Sequence, residues 1–538
     1  MAEPKKQTYL KGAAILAATV AITKVIGFIY KIPLYNLLGD EGTAHFQVTY
    51  AIYNLLLTIS TAGVPVALSR LIAAARATGR PLQAKRYYTV GMFAFGAVGI
   101  LGMTVMLLFS NELAGFMGDG EVALAVRLLA PSVFFACLVS VLRGYSQGHN
   151  DMLPTSISQI MEVLCKLVFG LAIAWYLARR GYNSATVAAG AIVGVTIGLG
   201  LSVPIMAVYK RKIAKKYADA AEMDNPMTPW GTLKQIIRVG VPITIGSSIL
   251  NIITLIDTKL VLERLQSGAG RSYQDAKILY GAYSKGLTLF NMPSAFITPV
   301  AVSVVPVIAA AIARRQRGEA RATIESCIKL TNIIALPAGV GICVLSYPIF
   351  NVLYPNSNEN GPALLAMLGI ASYFVCTYIV TNAVLQASGH ERLSLIALPI
   401  GGIVKIAVNW ILVGSPDINI IGAPIGTISC YVLITLINVI FMSAKLPEKP
   451  DFLKITLRPA ICTALMGAAA YAVYGLADRF LTPALGGVRI AMTICLALAI
   501  FLAVIVYFAL IITLNVITKE DAILLPKGEK IAAILRLK

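Results

Sequence analysis

Apolar runs long enough to cross a bilayer recur from one end of this chain to the other, and they leave few choices of fold. A helix needs about 20 residues to cross the hydrocarbon core. On that length about fourteen runs can be placed, roughly at 11–34, 44–70, 88–110, 122–146, 155–179, 184–209, 235–262, 278–307, 325–353, 362–388, 393–413, 419–443, 454–477 and 487–517. Backbone polar groups in hydrocarbon must be satisfied internally, so only helices or closed barrels span. A barrel would show short alternating segments instead. The expected fold is therefore an all-α polytopic membrane protein. The composition agrees: 58% hydrophobic, 13% charged and a mean hydropathy of +0.78 lie outside the range of soluble domains.

The formal net charge of +20 would suggest nucleic acid if it were gathered in one soluble domain. It is instead scattered over short loops, so no nucleic-acid partner is expected. Loop charge alternates along the chain. Lys5, Lys6 and Lys11; Arg76, Arg80, Lys85 and Arg86; Lys210–Lys216; Arg314–Arg321; and Lys445 and Lys449 fall in one set of connections. Asp40 and Glu41; Glu112, Asp119 and Glu121; Glu359; and Asp417 fall in the other. The positive-inside rule then places both termini in the cytoplasm, with anionic lipids as neighbours of the basic loops. Two outer connections, Arg179–Arg180 and Arg264–Lys277, depart from the alternation. The N-terminus lacks a small-residue cleavage site and reads as an uncleaved first span.

The eight cysteines form no CxxC pair and lie mostly in apolar runs, where they read as small buried hydrophobes. His45, His149 and His390 are too dispersed to suggest a metal site, so none is expected. No P-loop, GxSxG, HExxH or Gly-rich nucleotide loop is present, which argues against an enzyme and against direct ATP drive.

An internal repeat divides the chain. Tyr50-x-x-Tyr53 recurs as Tyr280-x-x-Tyr283; the same offset maps Asn54, Thr58 and Thr61 onto Ser284, Thr288 and Asn291. PVALS at Pro65–Ser69 resembles PVAVS at Pro299–Ser303. The reading is two pseudo-symmetric six-helix lobes, 1–209 and 235–444, joined by a linker at 210–234 and followed by two further spans and a tail at 445–538. An even number of spans per half makes the repeats parallel, with the substrate path between them. The amphipathic tail, Lys519–Lys538, is expected at the inner surface.

The hairpin Leu10–Arg80, turning at LGDEG (Leu38–Gly42), carries a polar stripe of Gln47, Tyr50, Asn54, Thr58 and Thr61. Steps of three and four put these on one helix face, which must meet protein or a water-filled cavity. Basic residues occur at membrane depth: Lys24, Lys31, Lys166, Lys259, Lys285 and Lys405, with Arg70 nearer the cytoplasmic end. A charge at the bilayer centre costs roughly 3 kcal/mol or more, so each needs a partner, a cavity or a snorkelling route. Lys31 and Lys259 sit near span ends and can snorkel. Lys166 has Glu162 one turn before it, so it is either half of an ion pair or, with Lys31 and Arg70, a further cation of the cavity. Lys24, Lys285 and Lys405 fit a cavity that holds a phosphate or diphosphate. The acidic residues within spans are Glu162 and Asp257; Asp257 serves as a charge partner or helps bind a coupling ion. Prolines inside spans, among them Pro65, Pro131, Pro242, Pro293 and Pro337, offer bending points.

TKVIGFIYKIPLYNLLGDEG (Thr23–Gly42) and YxxYNLLLTxSTAGVPVALSRLIA (Tyr50–Ala73) resemble the polysaccharide-biosynthesis branch of the MOP flippase superfamily. The nearest group is that of stage V sporulation protein B and the MurJ-type lipid II flippases. The resemblance implies a multi-pass protein of the bacterial cell membrane. It would export an undecaprenyl-diphosphate-linked sugar, lipid II first, for peptidoglycan synthesis, cell shape or sporulation. It implies a cationic cavity, no cofactor, and drive from the membrane potential or a Na+ or H+ gradient. Lys24 matches the basic residue before the first-helix motif, and Lys285 the basic residue after the aromatic pair of the eighth. A monomer working beside cell-wall synthesis proteins is expected. The alternatives are a flippase for another lipid-linked polysaccharide unit, a MATE-like drug/cation antiporter, or a membrane glycosyltransferase. The antiporter would need acidic cavity residues, and the glycosyltransferase larger loops.

Overall fold

The structure is a computed structural model that describes residues 3–216, 224–446, 449–485, 488–514 and 516. The expected surface helix at Lys519–Lys538 lies outside them. Every regular element among the described residues is helical. The α-helices are α1 (Glu3–Thr61), α2 (Val64–Ala77), α3 (Pro81–Leu108), α4 (Ser110–Phe116), α5 (Ala123–Gly148), α6 (Leu153–Cys165), α7 (Leu171–Arg179), α8 (Ser184–Lys216) and α9 (Pro229–Ser267). They continue as α10 (Tyr273–Phe290), α11 (Met292–Ala313), α12 (Arg317–Val344), α13 (Ser346–Leu353), α14 (Gly361–Ala387), α15 (Glu391–Leu412), α16 (Gly422–Lys445), α17 (Phe452–Leu485) and α18 (Val488–Thr513). A π-helical turn, Lys166–Gly170, joins α6 to α7.

Among the described residues twelve helical tracks are long and apolar enough to cross a membrane. The expectation of about fourteen spans differs from this at two places. The first two expected spans lie in one track, Ala18–Ala77, in which Gly39 alone of α1 is non-helical (φ 68°, ψ −169°). That combination is open essentially to glycine only. The eleventh span shows an apolar stretch of only Ile396–Leu412.

The repeat read from tyrosines extends to whole elements. α3 and α12 are each 28 residues long. Each is followed by a short helix, α4 of 7 residues and α13 of 8, and then by α5 of 26 and α14 of 27. The same succession of long, short and long helices in both halves is what a tandem duplication produces. The prolines sharpen this. Pro65 and Pro293 sit in the first turns of α2 and α11. There a missing N–H costs nothing, so both start helices rather than bend them. Pro131, Pro242 and Pro337 do lie inside α5, α9 and α12.

The chain forms two compact units: Met1–Gln266 with Arg271–Gly281, and Ser267–Gly270 with Ala282–Lys538. This partition by compactness groups α9 with the first unit, whereas the lobes 1–209 and 235–444 are a partition by repeat. In the first unit α5 is central, packed on α2, α3 and α8, around Val64, Leu68, Ile72, Tyr87, Val141 and Tyr145. The end of the linker is tied to α3 rather than loose. Gln83 N–H donates to Asp224 Oδ2 (3.0 Å), Met227 N–H to Gln83 Oε1 (2.6 Å) and Arg86 Nη1 to the Met227 carbonyl (2.9 Å). In the second unit α14 packs on α11, α12 and α16, around Ile308, Ile324, Cys376 and Val380. α17 and α18 pack on each other, and α17 on α12.

Candidate functional site

The polar stripe forms as the spacing requires. Gln47, Tyr50, Asn54, Thr58 and Thr61 are all half-buried, while their neighbours Val48, Thr49, Ala51, Ile52 and Tyr53 are buried. Tyr35 OH donates to Gln47 Oε1 (3.3 Å), and the Tyr50 ring stacks on Phe46 with centroids 4.6 Å apart. Asn251 Nδ2 donates to Thr58 Oγ1 (2.9 Å), which ties the stripe to α9. Just beyond, Gly63 N–H donates to Thr244 Oγ1 (3.1 Å). A Cβ on Gly63 would stand 2.2 Å from the Gly240 carbonyl oxygen, so glycine permits this crossing. Within the first unit, α9 therefore touches the hairpin at Thr58 and Gly63, although the repeat assigns it to the second half.

The charged candidates have different surroundings. Lys24 and Arg70 are exposed; Lys31 and Lys166 are half-buried. Lys31 Nζ lies 5.9 Å from the centroid of the Tyr35 ring, and Lys259 Nζ 3.8 Å from that of Phe116. Glu162 is not the partner of Lys166. It is held by Arg143, with Nη2 2.5 Å from Oε1 and the Arg143 Nε donating to Ser158 Oγ at 2.9 Å. Arg143 lies near the end of α5, and no local spacing signals the pair because its partner is 19 residues away. Asp257 is buried, next to Thr258, whose Oγ1 accepts from Tyr280 OH (2.9 Å).

In the second unit Lys285 is only 2% exposed, with Nζ 5.4 Å from the centroid of Tyr354. Ser284 Oγ is buried without a hydrogen-bond partner among the described residues. Thr288 Oγ1 donates to the Ser284 carbonyl (3.3 Å), and Asn291 is exposed. Lys405 is half-buried on α15, one turn before the fully buried Asn409. An apolar groove of about 750 Å³ in this unit is lined by Ile333, Pro337, Met466, Ala503, Tyr507 and Phe508. All eight cysteines are free; seven are buried and Cys343 is half-buried.

One cluster was not legible in the sequence. At the Gly39 end of the first unit, His45 Nδ1 lies 2.6 Å from Asp119 Oδ2 and Tyr273 OH donates to Asp119 Oδ1 (2.8 Å). Lys277 Nζ lies 2.7 Å from Glu41 Oε1 and 2.8 Å from Glu121 Oε2. Ser184 Oγ donates to Glu41 Oε2 (3.0 Å). The backbones are close too, since a Cβ on Gly281 would stand 1.9 Å from the Asp40 carbonyl oxygen. The histidines are dispersed in sequence, yet His45 meets three acidic residues in space. The signal that could have found this was the anomalous positive charge of Arg264–Lys277, because Lys277 answers the acidic charge of two other connections.

Comparison with known proteins agrees with this architecture. Residues 9–312 match the family described as polysaccharide biosynthesis protein. Three relatives from Bacillus subtilis (strain 168) align along most of the chain. The uncharacterized membrane protein YabM is 28% identical, covering 99% of this chain and 97% of its own. Stage V sporulation protein B is 26% identical, covering 82% and 85%. Lipid II flippase MurJ is 22% identical, covering 91% and 92%. Among solved structures, lipid II flippase MurJ in an inward closed conformation superposes with a TM-score of 0.66 at 15% identity, covering 93% of this chain and 100% of that one. An inward-facing multidrug resistance MATE family transporter of the MOP superfamily gives 0.64 at 16% identity, covering 80% and 97%. The chain belongs to the polysaccharide biosynthesis protein family and has the fold shared by MurJ and the MATE transporters of the MOP superfamily.

Proposed function

We propose that this protein is a flippase that carries an undecaprenyl-diphosphate-linked sugar precursor, lipid II first among the candidates, from the inner to the outer leaflet of the cell membrane. Two lobes alternate access, both termini are cytoplasmic, and the membrane potential or a cation gradient biases the cycle. The observation that carries this reading is the excess of basic over acidic residues at membrane depth. Lys24, Lys31, Lys166, Lys259, Lys285 and Lys405 lie within spans, against the acidic residues Glu162 and Asp257. Glu162 is taken by Arg143, a further basic residue, so it does not offset the lysines. Keeping a charge at that depth costs roughly 3 kcal/mol. A dianionic diphosphate repays it, because each ammonium is a compact point charge with three donors. The apolar groove beside α12, α17 and α18 suits a prenyl chain in the same way.

The test is replacement of Lys24, Lys285 and Lys405 by alanine, one at a time, in a strain depleted of its own lipid II flippase. Loss of growth at unchanged protein level, with lipid-linked precursor accumulating in the inner leaflet, is expected for each. Full complementation by all three refutes the cationic site. A different accumulating lipid would reassign the substrate to another polysaccharide unit.

A further inference from the structure

We propose that Glu41, His45 and Glu121 form a site for a divalent transition-metal ion, best matched by Zn2+, and that Lys277 is the internal cation which that ion displaces. One ligand atom from each of the three residues can be chosen so that all lie within 4.8 Å of one another. The imidazole is already oriented as a metal ligand. Its Nδ1 is committed to Asp119, and Asp119 is fixed from its other oxygen by Tyr273. A carboxylate holding one ring nitrogen so that the other is presented to a metal is the usual outer-shell arrangement around a histidine ligand.

The presented atom is the second, independent observation. His45 is 0% exposed, and its Nε2 has no hydrogen-bond partner among the described residues. It lies 3.2 Å from Glu121 Oε2 but without the geometry of a hydrogen bond. A buried ring nitrogen aimed between two carboxylates and left unsatisfied is costly unless a cation comes to it.

The donor set selects the ion. One imidazole and two carboxylates suit Zn2+ or a neighbouring borderline metal, whereas Mg2+ and Ca2+ prefer all-oxygen shells. A tetrahedral ion with bonds of about 2.0–2.1 Å needs its ligands about 3.4 Å apart, so His45 and Glu121 are already close enough and the widest pair closes in by up to about 1.4 Å. Lys277 stands where the ion must go, on both glutamates at once. Two carboxylates, Glu41 and Glu121, face that position, and one ammonium balances only half of their charge. Metal occupancy and the tie from Lys277 at the start of α10 to the hairpin turn are therefore mutually exclusive, while the Tyr273–Asp119 bond is compatible with both.

Isothermal titration of the full-length protein in detergent, stripped of metal, tests this with Zn2+ alone. One equivalent should bind saturably. His45→Ala and Glu121→Gln should each weaken it tenfold to a hundredfold. Lys277→Met should tighten it tenfold or more, a gain that misfolding cannot produce. Co2+ should bind the same site with a visible absorption band, and Mg2+ should not compete. No saturable Zn2+ binding by the unaltered protein, binding indifferent to both His45→Ala and Glu121→Gln, or no gain in Lys277→Met overturns the proposal.

Discussion

Replacing Gly281 with alanine tests how tightly α10 is seated on the hairpin turn. The added Cβ would stand 1.9 Å from the Asp40 carbonyl oxygen, 2.5 Å from its carbon and 2.9 Å from Asp40 Cα. All three are backbone atoms, so no side chain can swing aside. Ordinary contact begins at 3.4 Å, and the two segments must part by about 1.5 Å. Overpacking of this kind costs about 1–3 kcal/mol. With rigid backbone on both sides the upper end applies, equivalent to roughly a hundredfold shift in the contact equilibrium. Gly246, in α9, is the matched control, since a Cβ there meets nothing within 4 Å. Gly246→Ala should be neutral or should stabilise by about 0.4–1 kcal/mol through lost chain entropy. Thermal unfolding in detergent and amide exchange at 40–45 and 277–281 read both outcomes. Gly281→Ala should melt lower and exchange faster at those amides, and Gly246→Ala should do neither. Equal melting and equal exchange for the two variants refute the close approach.

Three further outcomes follow from the same structure. Gly39→Ala, where φ is +68° and open space surrounds the Cβ, should destabilise by about 1–3 kcal/mol from backbone strain alone, measured as a lowered melting temperature. Arg143→Ala should cost about 3–5 kcal/mol by leaving the Glu162 carboxylate, 16% exposed, without its guanidinium; the double variant Arg143→Met/Glu162→Leu should recover most of this in a double-mutant cycle. His149, at the connection after α5, is held down to about 4 by burial. The unfolded chain therefore takes up that proton first, so stability is full above about pH 6.5 and falls as pH drops from there toward 4, by at most about 1.4 kcal/mol per unit. His149→Gln should remove that slope from the melting temperature, and an unchanged slope would refute the assignment.

Hydropathy and offset made most of the architecture legible. Membrane helices must satisfy their own backbone, so long apolar runs map directly onto helices, and the tyrosine pairs of the two halves keep one offset. What misled was local proximity. Glu162 sits one turn before Lys166, yet Arg143 on a neighbouring helix binds it through Nη2 while its Nε is held by Ser158. Pro65 and Pro293 looked like bends because the spans around them read as continuous, whereas the chain breaks at Gly63 and Asn291 and restarts there. His45 carries no sign of its cluster in the sequence because its partners are 74 and 76 residues away, and only folding brings three connections to one end of the unit.

The cysteines bear on how the protein meets its chemical surroundings. With eight free thiols, no sulfur–sulfur bond holds the helices, so reducing agents have nothing to cut. Seven of the sulfurs are sealed inside helix packing, out of reach of aqueous oxidants and alkylating reagents. Cys343, near the end of α12, is the one half-buried cysteine, so a membrane-permeant alkylating reagent should tag the folded protein there before the other seven.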